Sequence, residues 1–174
     1  KISQSIVANL TKVILGLMLG LFFSAPSFAE NFELSKQYNL NLATAEKLAI
    51  NAEKSCQQLN KHLAVAILDR SGQPLLIKRH ESVGPHNTIA AQKKAFTALS
   101  TKTPTTIFSQ NARQNIDSQN LTSFSELLLL GGGFPIVYQN EVVGAIGIAG
   151  SGGSKNDDLC AEQAIKMTFN SQEI

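Results

Sequence analysis

The sequence has few charged residues, and its small net charge comes from one end of the chain. Charged residues make up 16% of the 174 residues, with 15 basic and 13 acidic side chains. Residues 1–29 contain two of the basic side chains, Lys1 and Lys12, and no acidic one, so the remainder carries 13 of each sign. A near-neutral domain lacks the basic surface that nucleic-acid binding requires. We therefore expect no nucleic-acid partner.

The sequence also lacks an apolar run long enough to span a membrane, which takes about 20 residues. Residues 13–23 are apolar, follow a basic start and precede an A-x-A-like cleavage site that ends at Ala29. This pattern is typical of a secretory signal peptide, and the alternative is an uncleaved anchor helix. We predict cleavage after Ala29, a mobile lead-in over 30–40, one domain over 41–174 and no stable membrane anchor. The expected location is periplasmic or secreted.

The motifs of common catalytic and nucleotide-binding sites are missing as well. No serine lies in a nucleophile-elbow pattern with glycine two residues away on both sides. The glycine-rich run over 147–153 lacks the Lys-Ser/Thr ending of a phosphate loop and the dinucleotide fingerprint, which favours a tight connection between strand and helix. Three glycines at 131–133 indicate a bulge or a close approach of the backbone. No catalytic residue is assigned from the sequence.

The chain does contain alternating helix and strand patterns. Apolar and small residues spaced three and four apart predict helices over 41–60, 86–100 and 157–169, and 107–114 is a candidate short helix. Apolar and β-branched runs bounded by turn residues predict strands over 62–69, 74–80, 127–130, 134–138 and 142–149. The order α-β-β-α-β-β-β-α predicts an α+β fold with a single, largely antiparallel five-stranded sheet and flanking helices.

The two cysteines lie on helices at opposite ends of the domain. Cys56 is near the end of the first predicted helix and Cys160 is near the start of the last, so antiparallel packing of these helices would bring the two residues together. Export would place them in a compartment where disulfides persist. We predict a disulfide between them, and the alternative is two buried free thiols.

A series of short motifs over about 41–169 resembles the GlcG/HbpS-like family, also called the haem-degrading domain family. The matching pieces are Val65–Asp69 with Gly72, Arg79, Gly84-Pro85-His86, Lys94-Ala95, Pro104-Thr105, residues 132–136, residues 144–150 and Cys160-Ala161. Ala149 stands where the family usually has serine. The resemblance implies a profilin-like α+β domain, homo-oligomers, and a ligand role in which some members bind haem and a few are linked to haem breakdown.

Haem binding requires an apolar slot, a donor to the iron and cations for the propionates. His86, after Gly84-Pro85 at a predicted helix start, is our candidate axial ligand; the alternative is a local hydrogen-bonding role. Arg79 and Lys94 are candidate propionate partners, or else ordinary surface charges. His80 is a further candidate for ligand binding, or a solvated residue at a strand end.

These patterns lead to one hypothesis with two alternatives. The leading hypothesis is an exported protein that binds a small molecule, with haem or a related tetrapyrrole as the cofactor. The alternatives are an enzyme that degrades haem oxidatively, and an accessory or assembly protein that binds another small metabolite.

Overall fold

The computed structural model describes residues 33–169, so the predicted signal peptide and its cleavage site lie outside the described part of the chain. Residues 33–36 have no regular secondary structure. Residues 37–169 form one compact unit. Its elements are α1 (Leu42–Gln58), β1 (Ala64–Asp69), β2 (Pro74–Arg79), α2 (His86–Thr101), α3 (Thr105–Gln114), a 3-10 helix (Ile116–Ser123), β3 (Gly133–Tyr138), β4 (Glu141–Ala149) and α4 (Ser154–Thr168).

The strands form one antiparallel sheet in the order β2-β1-β4-β3, which confirms the α+β class. The prediction of a fifth strand over 127–130 is wrong, because the sheet has four strands within the described residues. The backbone N–H of Leu128 donates to Thr97 Oγ1 on α2 at 2.9 Å, and that of Leu130 donates to the Leu128 carbonyl. These groups are used in local turns and a side-chain contact instead of a strand ladder.

Helices α1 and α4 pack on one face of the sheet against large aliphatic side chains. Ile67 of β1 and Ile146 of β4 are fully buried in this core. The Cys56–Cys160 disulfide lies in the same core and joins the end of α1 to α4. The N-cap of helix α1 is Asn41, whose Oδ1 accepts the N–H of Thr44 at 2.9 Å and so caps the first turn. The predicted disulfide between Cys56 and Cys160 is confirmed.

Helix α2 packs on the opposite face against alanine and glycine. Ala95 and Ala145 are fully buried in this contact. A Cβ atom added to Gly147 would lie 2.0 Å from the Ala91 carbonyl oxygen, so the backbones of helix and strand are in direct contact there. Only a residue without a side chain permits this approach. The alanine-rich side of α2 is therefore its buried side.

The end of the lead-in is attached to the domain. The N–H of Leu40 donates to the Val143 carbonyl at 3.2 Å, and the Leu40 side chain is buried. Tyr38 contacts Tyr138 edge to face, with ring centroids 4.9 Å apart. Within the described residues, no helix is long and apolar enough to cross a bilayer.

Candidate functional site

Two of the three histidines of the chain lie where strands begin or end, and the third lies at a helix start. His62 lies two residues before β1, His80 directly follows β2, and His86 begins α2. The first residue of β1, Ala64, pairs with the last residue of β2 and with the last residue of β4. The antiparallel register therefore brings these three strand termini to one edge of the sheet.

His62 and His80 form a stacked pair in a cleft at this edge. Their ring centroids are 3.6 Å apart and the ring planes differ by 11°. His80 Nδ1 lies 2.7 Å from Ser82 Oγ, which fixes the orientation of its ring. The cleft, which we call the histidine cleft, has a volume of about 240 Å³ and lies between the end of α1 and the paired ends of β1 and β2. Its volume is below the range of about 300–1,000 Å³ that is usual for pockets enclosing small ligands.

Arg79 organises the loop that follows β2. One of its terminal nitrogens donates to the carbonyls of His80 at 3.0 Å and Glu81 at 3.3 Å, and also to that of Val83. A backbone hydrogen bond lowers the pKa of the exposed Glu81 carboxyl below its ordinary value, and the neighbouring charge of His80 lowers it further. Two predicted site residues, Arg79 and His80, are therefore together in the histidine cleft.

Lys94 faces the interior. Its side chain is 5% exposed, and Nζ donates to Asp157 Oδ2 at 2.7 Å and to the Ile148 carbonyl at 3.0 Å. The other oxygen of Asp157 accepts the backbone N–H of Ser151 at 3.1 Å and also its hydroxyl. This ion pair joins α2, the end of β4 and the start of α4. The charge of Lys94, which the sequence suggested as a partner of a propionate, is therefore already compensated by Asp157.

The triple glycine passes beside this ion pair. A Cβ atom on Gly132 would lie 2.4 Å from the Ile148 carbonyl oxygen, and one on Gly133 would lie 2.2 Å from that of Lys94. Gly132 also has a φ of +113°, which side-chain-bearing residues rarely adopt. The close backbone approach predicted for these glycines is confirmed.

His86 is exposed at the first turn of α2. Its ring lies against Gly84, since a Cβ atom there would be 3.0 Å from His86 Cε1. No hydrogen bond to this ring is found within residues 33–169. Ile89, Lys93 and Phe96 follow His86 at spacings of three, four and three residues, which places them along the same outer face of α2.

A shallow cleft of about 360 Å³ runs along this outer face. It is lined by Leu68, Pro74, Ile89, Lys93 and Phe96, among others. Ile89 is 60% exposed, which is high for a large aliphatic side chain. We call this cleft with His86 the α2 slot. It combines apolar walls, the cation Lys93, the carboxylate of Glu126 and an imidazole one turn away.

The described residues contain no group of three or more His, Cys, Asp or Glu side chains that could hold a metal ion. Sequence reasoning missed Asp157 as the partner of Lys94. The signal was the position of Lys94 between Ala91 and Ala98 on the alanine-rich stripe of α2, since a lysine on a buried stripe requires a buried partner.

Comparison with known proteins gives consistent matches. A family model described as "Haem degrading protein HbpS-like" matches residues 40–166. An uncharacterised 15.0 kDa protein from the dhaT-dhaS intergenic region of Citrobacter freundii is 27% identical over 128 residues, covering 72% of this chain and 89% of that protein.

Two solved structures have a similar fold. The crystal structure of a double mutant of HbpS from Streptomyces reticuli is 30% identical, with a TM-score of 0.75, covering 84% of this chain and 99% of that one. The crystal structure of a PduOC:Heme complex is 26% identical, with a TM-score of 0.68, covering 75% of this chain and 95% of that one.

Proposed function

The chain belongs to the HbpS-like family of haem-degrading proteins, and from this membership we propose that it binds haem or a related tetrapyrrole. The family and the PduOC:Heme complex support the ligand class. Because one fold can carry many functions, the binding site must be argued from this chain's own residues.

The observation that carries the proposal is the exposed imidazole of His86 at the end of the α2 slot. A neutral imidazole is a common axial ligand of haem iron. Ile89 and Phe96 supply apolar contacts for the macrocycle, and bound haem would supply a redox-active iron. His62 and His80 are less suited, because their rings stack on each other.

Cations for the propionates come from two positions in this proposal. Arg79 stays a candidate, since the residue is exposed at the end of β2 and its contacts with the loop carbonyls within the described residues come from one terminal nitrogen. Lys94 would have to leave Asp157 to reach a ligand, which would leave a buried carboxylate without its cation. The neighbouring Lys93 already lines the α2 slot, and we assign it the role that the sequence suggested for Lys94.

The α2 slot is open on one side, so we propose that a second copy of the chain covers it. The exposed Ile89 side chain would be buried by such a contact. A homo-oligomer with the slot at its interface would enclose more of a large planar ligand than one chain can. We further propose a periplasmic or secreted location, which the disulfide supports because such bonds persist in oxidising compartments.

Titration with hemin tests the proposal. We expect a shifted Soret band with the wild-type protein and affinity weakened at least about tenfold in His86→Ala, which loses the iron ligand. His62→Ala is the matched control and should bind like the wild type. A spectrum that stays that of unbound hemin, or equal binding by His86→Ala, would reject the site.

A second candidate function is oxidative haem degradation, which the description of the family favours. We would follow the Soret band after adding an electron donor, with catalase present to remove free peroxide. Loss of the band under these conditions would support turnover, and a stable band would support binding alone.

A further inference from the structure

We propose that the histidine cleft is a second binding site, for a small oxyanion held by His62, His80 and Lys61, and that anion binding is coupled to proton uptake by the two imidazoles. The ligand chemistry is that of a phosphate-like or carboxylate group. This inference goes beyond the proposed function, because His86 and the α2 slot take no part in it.

The charges that line the cleft favour an anion. Its basic groups are Lys61, His62, Lys78, Arg79 and His80, and its acidic groups are Glu53 and Glu81. Lys78 and Glu53 compensate each other in an ion pair of 2.7 Å. The remaining cations exceed the one remaining carboxylate even when both imidazoles are neutral, so the cleft attracts negative charge.

Lys61 is the cation of the cleft lining that we assign to direct contact with the anion. No ion pair of Lys61 is found in the described part of the chain, and its Nζ lies beside Gly152, where an added Cβ would be 3.6 Å away. Arg79 differs, because one of its terminal nitrogens already donates to three backbone carbonyls. Arg79 therefore adds charge and holds the loop, while Lys61 can donate to a ligand.

The carboxylate of Glu81 already lies at one end of the stacked pair of imidazoles. Glu81 Oε2 lies 3.7 Å from His80 Nε2, and the Glu81 side chain is 90% exposed. An exposed carboxylate at this distance gains little from a contact that water screens. An incoming anion that also reaches Lys61 can displace it without breaking buried structure.

The stacking of His62 and His80 couples binding of the anion to protonation of the two imidazoles. Two imidazolium rings with centroids 3.6 Å apart would repel each other. An anion near both rings offsets that repulsion. Because an imidazole ordinarily gains its proton below about pH 6.5, the anion should bind more tightly in mild acid.

Sulfate is the probe, because its charge is constant over the relevant pH range. The imidazole NMR signals of the full-length protein would be followed as sulfate replaces chloride at constant ionic strength. We expect saturable shifts for His62 and His80, with His86 unmoved as the internal control. Affinity should be about tenfold or more higher at about pH 5.5 than at about pH 8.

Variants separate direct binding from general screening. Lys61→Gln should weaken sulfate binding about fivefold, whereas Lys155→Gln, an exposed lysine outside the cleft, should not. His80→Gln should bind weakly and with little pH dependence. Succinate in place of sulfate distinguishes a dicarboxylate from a tetrahedral oxyanion, and saturable binding of either supports the proposal.

Three results would overturn it. These are a linear drift of all three histidine signals, an affinity that does not change with pH, and equal binding by Lys61→Gln. An unchanged amide spectrum of each variant shows that the fold is intact, so that a loss of binding reports on the cleft.

Discussion

The two faces of the sheet are built from side chains of different size. Consecutive residues of β4 show the contrast, since Ile146 packs into the core with α1 and α4 while Gly147 meets the backbone of α2. The first face is closed by aliphatic packing and a disulfide. The second is closed by backbone contact and the buried Lys94–Asp157 pair. We expect the first to be sensitive to lost volume or a lost crosslink, and the second to added volume or a lost charge.

The largest effect is expected for the crosslink on the first face. Replacing both cysteines, as in C56S/C160S, removes a bond between residues 104 apart in sequence. The chain-entropy model gives about 4–5 kcal/mol for a loop of this length. Urea unfolding measures the loss, and reduced wild-type protein is the control. A loss below about 1 kcal/mol would show that aliphatic packing alone holds this face.

The buried charge on the second face should come next. Lys94→Met leaves the Asp157 carboxylate buried without its cation, which we expect to cost about 3–4 kcal/mol. Lys93→Met, one position along on the outer face of α2, is the matched control and should change stability by less than about 0.5 kcal/mol. Similar losses in the two variants would contradict the assignment of Lys94 to the interior.

Adjacent residues of β4 test the difference in packing. Ile146→Ala should cost about 3 kcal/mol through the cavity it leaves. Gly147→Ala should cost about 1–3 kcal/mol, because the new methyl group meets the Ala91 carbonyl. Crystal structures would separate the causes, since we expect a void in the first variant and a displaced α2 in the second. An unmoved α2 in Gly147→Ala would show that the contact is not tight.

The smallest effect concerns the exposed Glu81. Its pKa is lowered in the folded protein from an ordinary value of 4.5, so it stabilises the fold above that pH and loses this contribution as the pH falls through the lowered value. The difference in unfolding free energy between wild type and Glu81→Gln should therefore shrink as the solution is acidified through this range. A difference that grows on acidification would contradict the sign.

Much of the fold is visible in local patterns. The apolar stripe that ends at Cys56 defines α1, and the position of Cys160 early in α4 makes the disulfide predictable once the helices are antiparallel. Apolar residues before glycine predict a strand over 127–130, and this prediction is wrong. The hydrogen bond of this run to Thr97 depends on tertiary structure, which periodicity does not encode.

The site is less visible in the sequence. His62 and His80 stack only because the register of β1 and β2 places the His80 N–H 3.0 Å from the Leu63 carbonyl, and a shift of one residue would separate them. Lys94 and Asp157 are 63 residues apart and meet through packing of α2 near the start of α4. The helix start at His86 could be predicted, because Gly84-Pro85 marks it, and the role of His86 as an iron ligand stays a prediction.

The most direct test of the account is the crystal structure of the protein with hemin bound. We predict that the iron is bound to the imidazole of His86 and that the macrocycle lies against Ile89 and Phe96 in the α2 slot. We predict no hemin at His62 and His80. Hemin ligated by His62 or His80 would contradict the account. A structure without bound hemin, from crystals grown with excess hemin, would contradict it as well.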